Sequence, residues 1–194
     1  MLSVSEKYQV PLQDLAELNN IEDPKELRIG RPVFIPGVRA GRFKTSRWKK
    51  KQKSASLVPR DFPEKIEVDH GRFSWPIRGD LSSVFGVRKG RRHDGLDIRA
   101  SRGTPIHAAA AGEVVYSKRL HGYGNLILLK HSKNFFTVYA HNSVNLVKKG
   151  QKVEKRQVIG KVGSTGRATG PHLHFEVREG KKPRNPLFFL PKVH

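Results

Sequence analysis

Hydrophobic positions change their period along this chain. From Val4 to Ala16 the apolar residues Val4, Tyr8, Val10, Leu12, Leu15 and Ala16 fall partly at the spacing of a helix face, and Pro11 suits a helix start. The pattern predicts a helix, a turn and a second helix. Asn20 and Asp23-Pro24 bring turn and N-cap chemistry ahead of Glu26-Leu27. Gly30 and Pro32 then break the chain before a short strand, Val33-Phe34-Ile35, closed by Pro36-Gly37. From 38 to 69 almost no apolar period survives, which predicts a linker. From Phe73 onward, short alternating runs separated by Gly, Pro, Asn and Ser predict many short strands. These include Gly112 to Ser117, Leu126 to His131, Phe135 to His141, Val158 to Val162 and Leu173 to Val177, with turns at Gly122 to Asn125 and Ser132 to Asn134. The expected fold is mainly β: a small α/β module over 1–37, a linker over 38–69 and an antiparallel β domain over 70–194.

Composition narrows the partners. The 194 residues are 36% hydrophobic and 8% aromatic, enough for modest cores in one domain or two small ones. No apolar run approaches the roughly 20 residues that span a bilayer, and the N-terminus lacks the order of an export signal. A formal net charge of +21 attracts polyanions, whether nucleic acid, anionic lipid, wall polymer or carboxylate-bearing peptidoglycan. Much of it lies in the linker, at Arg39, Arg42, Lys44, Arg47, Lys49, Lys50, Lys51 and Lys53. A solvated tether or a grip on an anionic wall polymer explains that run with fewer assumptions than nucleic-acid binding, which is not expected. Absence of Cys excludes disulfides and thiolate metal sites, leaving imidazole and carboxylate as ligands for a transition metal.

Three segments carry candidate chemistry. In Arg92-His93-Asp94-Gly95-Leu96-Asp97-Ile98 an imidazole and a carboxylate stand four positions apart around a glycine. Alone, this reads first as surface ion pairing with Arg91, Arg92 and Arg99. In Gly170 to Val177 alternation is strict: His172, His174 and Glu176 share one face, Leu173, Phe175 and Val177 the other. Two histidines side by side call for a metal, an open cleft or a satisfied structural pair. In Phe135 to His141, alternation expects Thr137, Tyr139 and His141 on one face. Together the three offer the N and O ligands, with room for water, that a catalytic zinc requires.

These segments resemble the M23 (lysostaphin or LytM-like) zinc endopeptidases, whose signatures H-x-x-x-D and H-x-H both stand here. The resemblance extends from Ser74-Trp75-Pro76-Ile77 through Ser83 to Arg88, Gly103 to Ala109, Gly122 to Asn125, Tyr139-Ala140-His141 and Gly160 to Gly166, to Asn185-Pro186. It implies a lysostaphin-like antiparallel β-sheet domain with one zinc ion held by His93, Asp97 and His174. It also implies His141 and His172 as catalytic histidines beside a metal-activated water, with His172 taken as base and His141 as hydrogen-bond donor to the oxyanion, or the reverse. Residues 1–37, with their LAELNNI and GRPVFIPG segments, resemble a LysM glycan-binding module whose first strand is missing, which suggests a truncated or late start and a lost upstream export signal.

The function so implied is zinc-dependent hydrolysis of peptide cross-links in bacterial peptidoglycan, in the periplasm or outside the cell. Glycan strands would bind the LysM-like module and stem or cross-bridge peptides the cleft, with the protein a monomer. The competing reading is a non-catalytic activator of cell-wall amidases, a class this domain order also resembles; against it, all five site positions hold the residues chemistry needs. A likeness of Val147 to Val162 to lipoyl carriers lacks the modified lysine's tripeptide, and Gly160 to Gly170 lacks the Lys-Ser/Thr ending of a phosphate loop. That glycine-rich stretch is expected to be a flexible groove wall. His70, His107, His121, His131 and His194 match no ligand position, Trp75, Tyr123 and Phe85 look like core or groove aromatics, and Glu176 is left between orienting a ligand and pairing with a cation.

Overall fold

In the computed structural model, which describes residues 1–28, 30–37, 65–88 and 91–192, the first periodic stretch forms two short helices, α1 (Leu2–Tyr8) and α2 (Leu12–Leu18). They separate at Gln9, whose φ of 53° is left-handed, and at Pro11, which caps α2 in an extended conformation. Leu12, Leu15, Ala16 and Ile21 are buried. Asp23 caps only a 3-10 turn, Pro24–Glu26, by accepting from the Lys25 N–H at 2.8 Å. The expected strand at Val33 to Ile35 does not form: the pairing partner of its backbone is a side chain. The Asn19 amide accepts from Phe34 N–H at 2.6 Å and donates to Phe34 C=O at 2.8 Å, satisfying both groups as a neighbouring strand would. The chain divides into two units, Met1–Ile66 and Glu67–His194. The basic run from Arg39 to Lys53 and His194 lie outside the described residues.

The second unit is a mainly β domain. Its strands are β1 (Leu81–Ser83), β2 (Gly86–Arg88), β3 (Arg91–His93), β4 (Leu96–Arg99), β5 (Pro105–His107), β6 (Gly112–Leu120) and β7 (Gly124–Lys130). They continue with β8 (Phe135–Asn142), β9 (Val144–Asn145), β10 (Lys152–Val153), β11 (Val158–Lys161), β12 (His172–Glu179) and β13 (Lys182–Arg184). Among the described residues the main sheet runs β1-β4-β12-β8-β7-β6-β10, all neighbours antiparallel, with β13 on the far end of β12. A smaller sheet, β5-β11-β9, and the hairpin β2-β3 complete it.

Alternation on β12 and β4 decides what each face carries. Leu96, Ile98, Leu173, Phe175 and Val177 are fully buried on one face, each contributing on the order of 1.5 to 3 kcal/mol. Phe175 meets the Tyr139 ring, and Ile127 and Leu129 of the central strands and Ile106 and Ile159 of the small sheet are likewise fully buried. The opposite face carries Asp97, His172 and His174.

Candidate metal centre

The pairing of β4 with β12 sets Asp97 directly across from His174, and the β2-β3 hairpin delivers His93 from above. His93 Nε2 lies 3.1 Å from Asp97 Oδ1 and 3.2 Å from His174 Nδ1, and His174 Nδ1 lies 2.8 Å from Asp97 Oδ1. Three donor atoms from residues up to 81 positions apart thus form a triangle that could hold a metal ion. Its edges are near the roughly 3.3 Å of a tetrahedron with zinc bonds of about 2.0 to 2.1 Å.

Gly95 makes this approach possible. A Cβ there would fall 2.3 Å from the Phe175 carbonyl oxygen, so the loop between His93 and Asp97 can lie against β12 only without a side chain.

The far nitrogens fix the tautomers. His93 Nδ1 is 2.9 Å from Val84 C=O, and a carbonyl can only accept, so Nδ1 carries the proton and Nε2 a lone pair. His174 Nε2 donates to Glu176 Oε1 at 3.0 Å. The triangle therefore gathers two imidazole nitrogens and a carboxylate oxygen, an arrangement that demands positive charge. Without a metal the charge is a proton: burial opposes it, yet the bonds to Asp97 and Glu176 outweigh burial and push the His174 pKa up to about 9. Burial likewise works against the Asp97 carboxylate, but hydrogen bonds with His174 and His93 hold it well below the usual carboxylate range. The donor set fits a cation, and the acceptors behind it fit neutral imidazole ligands.

Glu176, set aside between two roles, meets both. It is fully buried and receives His174 Nε2 at 3.0 Å, the Tyr123 hydroxyl at 2.9 Å and Arg178 Nη1 at 2.5 Å. Burial would raise its pKa, but these donors, His174 foremost, lower it. Tyr123 responds in reverse: burial, then the Glu176 charge, push its hydroxyl up to about 12. Sequence alternation put Glu176 on the right face; two of its donors, His174 and Arg178, flank it on β12, while the third, Tyr123, comes from the segment between β6 and β7.

His141 reaches the site by a route alternation does not predict. Tyr139 pairs with Phe175 and its ring lies 5.4 Å from that ring, on the buried face with Thr137. His141, two residues on, instead lies against His172 with ring centroids 4.7 Å apart. The expectation that Thr137, Tyr139 and His141 share a face is therefore corrected. A left-handed φ of 63° at His141, where the β7-β8 register shifts, turns its side chain to the metal face. His141 Nδ1 donates to Thr165 C=O at 2.7 Å and His172 Nδ1 to Gly170 C=O at 2.9 Å, so both turn Nε2 lone pairs away from these carbonyls. His172 Nε2 is 3.8 Å from Asp97 Oδ1. Burial lowers the His141 pKa below the ordinary imidazole value, with the Thr165 bond opposing.

A cleft of 360 Å3 opens over these groups, lined by His93, Asp97, Tyr123, His141, His172 and His174 among others. The glycine-rich stretch is anchored at Thr165 rather than loose. Its Oγ1 accepts from Asn125 N–H at 2.9 Å and donates to Asn142 C=O at 2.8 Å. Of the other histidines, His131 is in the core, His107 is partly buried and His121 exposed. Phe85 is buried, Tyr123 lines the cleft, and Trp75 donates to Pro191 C=O at 3.0 Å.

Comparison with known proteins agrees with this geometry. The family model of Peptidase family M23 matches residues 91–186, and that of the LysM domain residues 3–36. The chain is 37% identical to the lipoprotein YgeR of Escherichia coli over 193 residues, which cover 97% of this chain and 76% of that one. It is 44% identical to the murein hydrolase activator NlpD of Escherichia coli over 119 residues, 61% of this chain but 31% of that protein. Among solved structures, a zinc-containing peptidase from Vibrio cholerae superimposes with a TM-score of 0.56 at 30% identity, covering 66% of this chain and 40% of that one.

Proposed function

The chain belongs to peptidase family M23 and carries a LysM domain ahead of the peptidase-like domain, and from this we propose that it is a zinc-dependent endopeptidase that hydrolyses peptide cross-links of bacterial peptidoglycan. The carrying observation is the triangle of His93 Nε2, Asp97 Oδ1 and His174 Nδ1 with two further histidines beside it. In this reading those three residues hold one zinc ion. Zinc, when bound, supplies a Lewis acid that polarises a scissile carbonyl and makes water acidic enough to attack near neutral pH.

The chain's own groups do the rest. His141 and His172, each with its Nδ1–H spent on a backbone carbonyl, offer Nε2 as proton acceptor. A donor role at Nε2 needs prior protonation. Burial resists it at His141, so His141 suits the base and leaves His172 as the donor to the developing oxyanion, the reverse of the first assignment. Glu176 keeps His174 oriented, and Thr165 does the same for His141. The LysM domain would hold glycan strands, and the place of action would be the cell envelope, as the relatives' names suggest for those proteins.

A second reading, a non-catalytic activator of cell-wall hydrolases, is favoured by the identity to NlpD. Mass analysis of muropeptides from sacculi incubated with the protein separates the two. Loss of cross-linked dimers with zinc, but not with chelator or with His172→Ala, is expected for the enzyme; sacculi unchanged in all three conditions would favour the activator.

A further inference from the structure

Asp97 and His172 line two clefts. Besides the one above the metal-holding residues, a larger groove of 660 Å3 runs past the Ser82-Ser83 end of β1, Ala100-Ser101 beyond β4 and Thr169 to Pro171. Nothing in the proposed chemistry uses it. Apart from Asp97 and His172, its charged lining residue is Arg99.

Sheet register says where Arg99 stands. It pairs with His172 across β4 and β12, immediately beside the pair of Asp97 with His174. Residues two apart on a strand share a face, so Arg99 rises on the metal face one step along, about 7 Å from Asp97 between Cα atoms. Its main chain is anchored by Arg99 N–H to Asp80 C=O at 2.9 Å. Its side chain is exposed and has no ion-pair or hydrogen-bond partner among the described residues. By contrast Arg92, in the other cleft, is bound to Asp94 at 2.6 Å. The remaining groove polarity is neutral, from Ser82, Ser83, Ser101 and Thr169.

A planar guanidinium with its donors unspent, beside neutral hydroxyls, matches a carboxylate with two parallel hydrogen bonds. We infer that Arg99 is a specificity-determining residue that binds a free carboxylate on the residue whose nitrogen belongs to the scissile bond. The inference rests on the peptidase reading and names its substrate class. Where D-alanine is linked directly to the side-chain amine of a diamino diacid, the carbon next to the scissile nitrogen bears a carboxylate. Three bonds separate that carboxyl carbon from the scissile carbonyl carbon, about 4 Å, a distance the Arg99 side chain spans from its neighbouring position. A bridge of interior glycines has every carboxyl committed to an amide and offers Arg99 nothing.

The test uses two cross-linked peptides that differ only in whether this carboxyl is free or amidated, given to zinc-loaded wild type, Arg99→Ala, Arg99→Lys and Arg167→Ala, the last removing an exposed arginine of the other cleft that has no acidic partner among the described residues. The wild type is expected to prefer the free carboxyl by roughly 10- to 100-fold in kcat/KM, the worth of a charge-assisted pair. Arg99→Ala brings the ratio close to one, Arg99→Lys keeps part of it and Arg167→Ala keeps it. Equal rates on both peptides, or a preference that survives Arg99→Ala, overturns the inference and leaves the peptidase reading standing. If neither peptide is cut, binding of the same pair decides. A preference in Kd that Arg99→Ala abolishes upholds the Arg99 assignment while the peptidase reading fails; equal binding, or none, overturns the assignment as well.

Discussion

His174 and Glu176, two positions apart on one strand, are joined by a 3.0 Å hydrogen bond from Nε2 to a carboxylate with no exposed surface. The carboxylate orients the imidazole and makes its other nitrogen a better ligand. Glu176→Gln keeps the shape and removes the charge, so zinc affinity measured by chelator competition should fall roughly 10- to 100-fold with the fold intact. Unchanged affinity would assign Glu176 to the Arg178 pair alone.

Zinc uptake should release protons. His174 is held charged up to about pH 9 in the metal-free site, and a metal at Nδ1 excludes that proton. Its raised pKa stabilises the metal-free fold below the unfolded value of 6.5 and stops doing so above about 9. Calorimetry in buffers of different ionisation enthalpy near pH 7 should therefore record about one proton released per zinc, and affinity should fall about tenfold per pH unit from pH 9 towards 7. At 100 times Kd, zinc should stabilise the protein by about 2.7 kcal/mol over the chelated form.

Gly95→Ala tests the approach of the ligand loop to β12. The added methyl must displace the loop from the Phe175 carbonyl, so thermal unfolding should show a loss of about 1 to 3 kcal/mol, with weakened zinc retention. Wild-type stability and retention together would show that the loop yields at no cost.

His131 should govern part of the acid sensitivity. It is buried, donates from Nδ1 to Ala111 C=O at 2.8 Å and meets the Thr137 hydroxyl at 2.8 Å through Nε2. Burial lowers its pKa below 6.5. The unfolded chain then binds the proton more readily, so this residue's contribution is complete above pH 6.5 and is lost as pH falls through the folded value. In urea titrations of the chelated protein, His131→Gln should reduce the slope of stability against pH below 6.5, by up to about 1.4 kcal/mol per unit. An identical slope in wild type and variant would refute this.

The alternation of Leu173, Phe175 and Val177 against His172, His174 and Glu176 was legible in the sequence because a strand's period of two is a local property of the backbone. So were the main strands; the gathering of His93, Asp97 and His174 was implied by the family resemblance of their two motifs and not by either motif alone. Val33 to Ile35 misled because a strand also needs a partner, and the side chain of Asn19 takes that place. His141 misled because one left-handed residue reverses the face that alternation assigns. The tautomers of the four histidines, the burial of Glu176 beneath Gly95 and Tyr123, and the unspent guanidinium of Arg99 beside His172 were decided by tertiary structure alone. His93 and His141 depend on the carbonyls of Val84 and Thr165, and Glu176 and Arg99 on strands and loops that arrive from elsewhere in the chain; even where the partner is two residues away, as for His172 and His174, no local period records which ring nitrogen meets it.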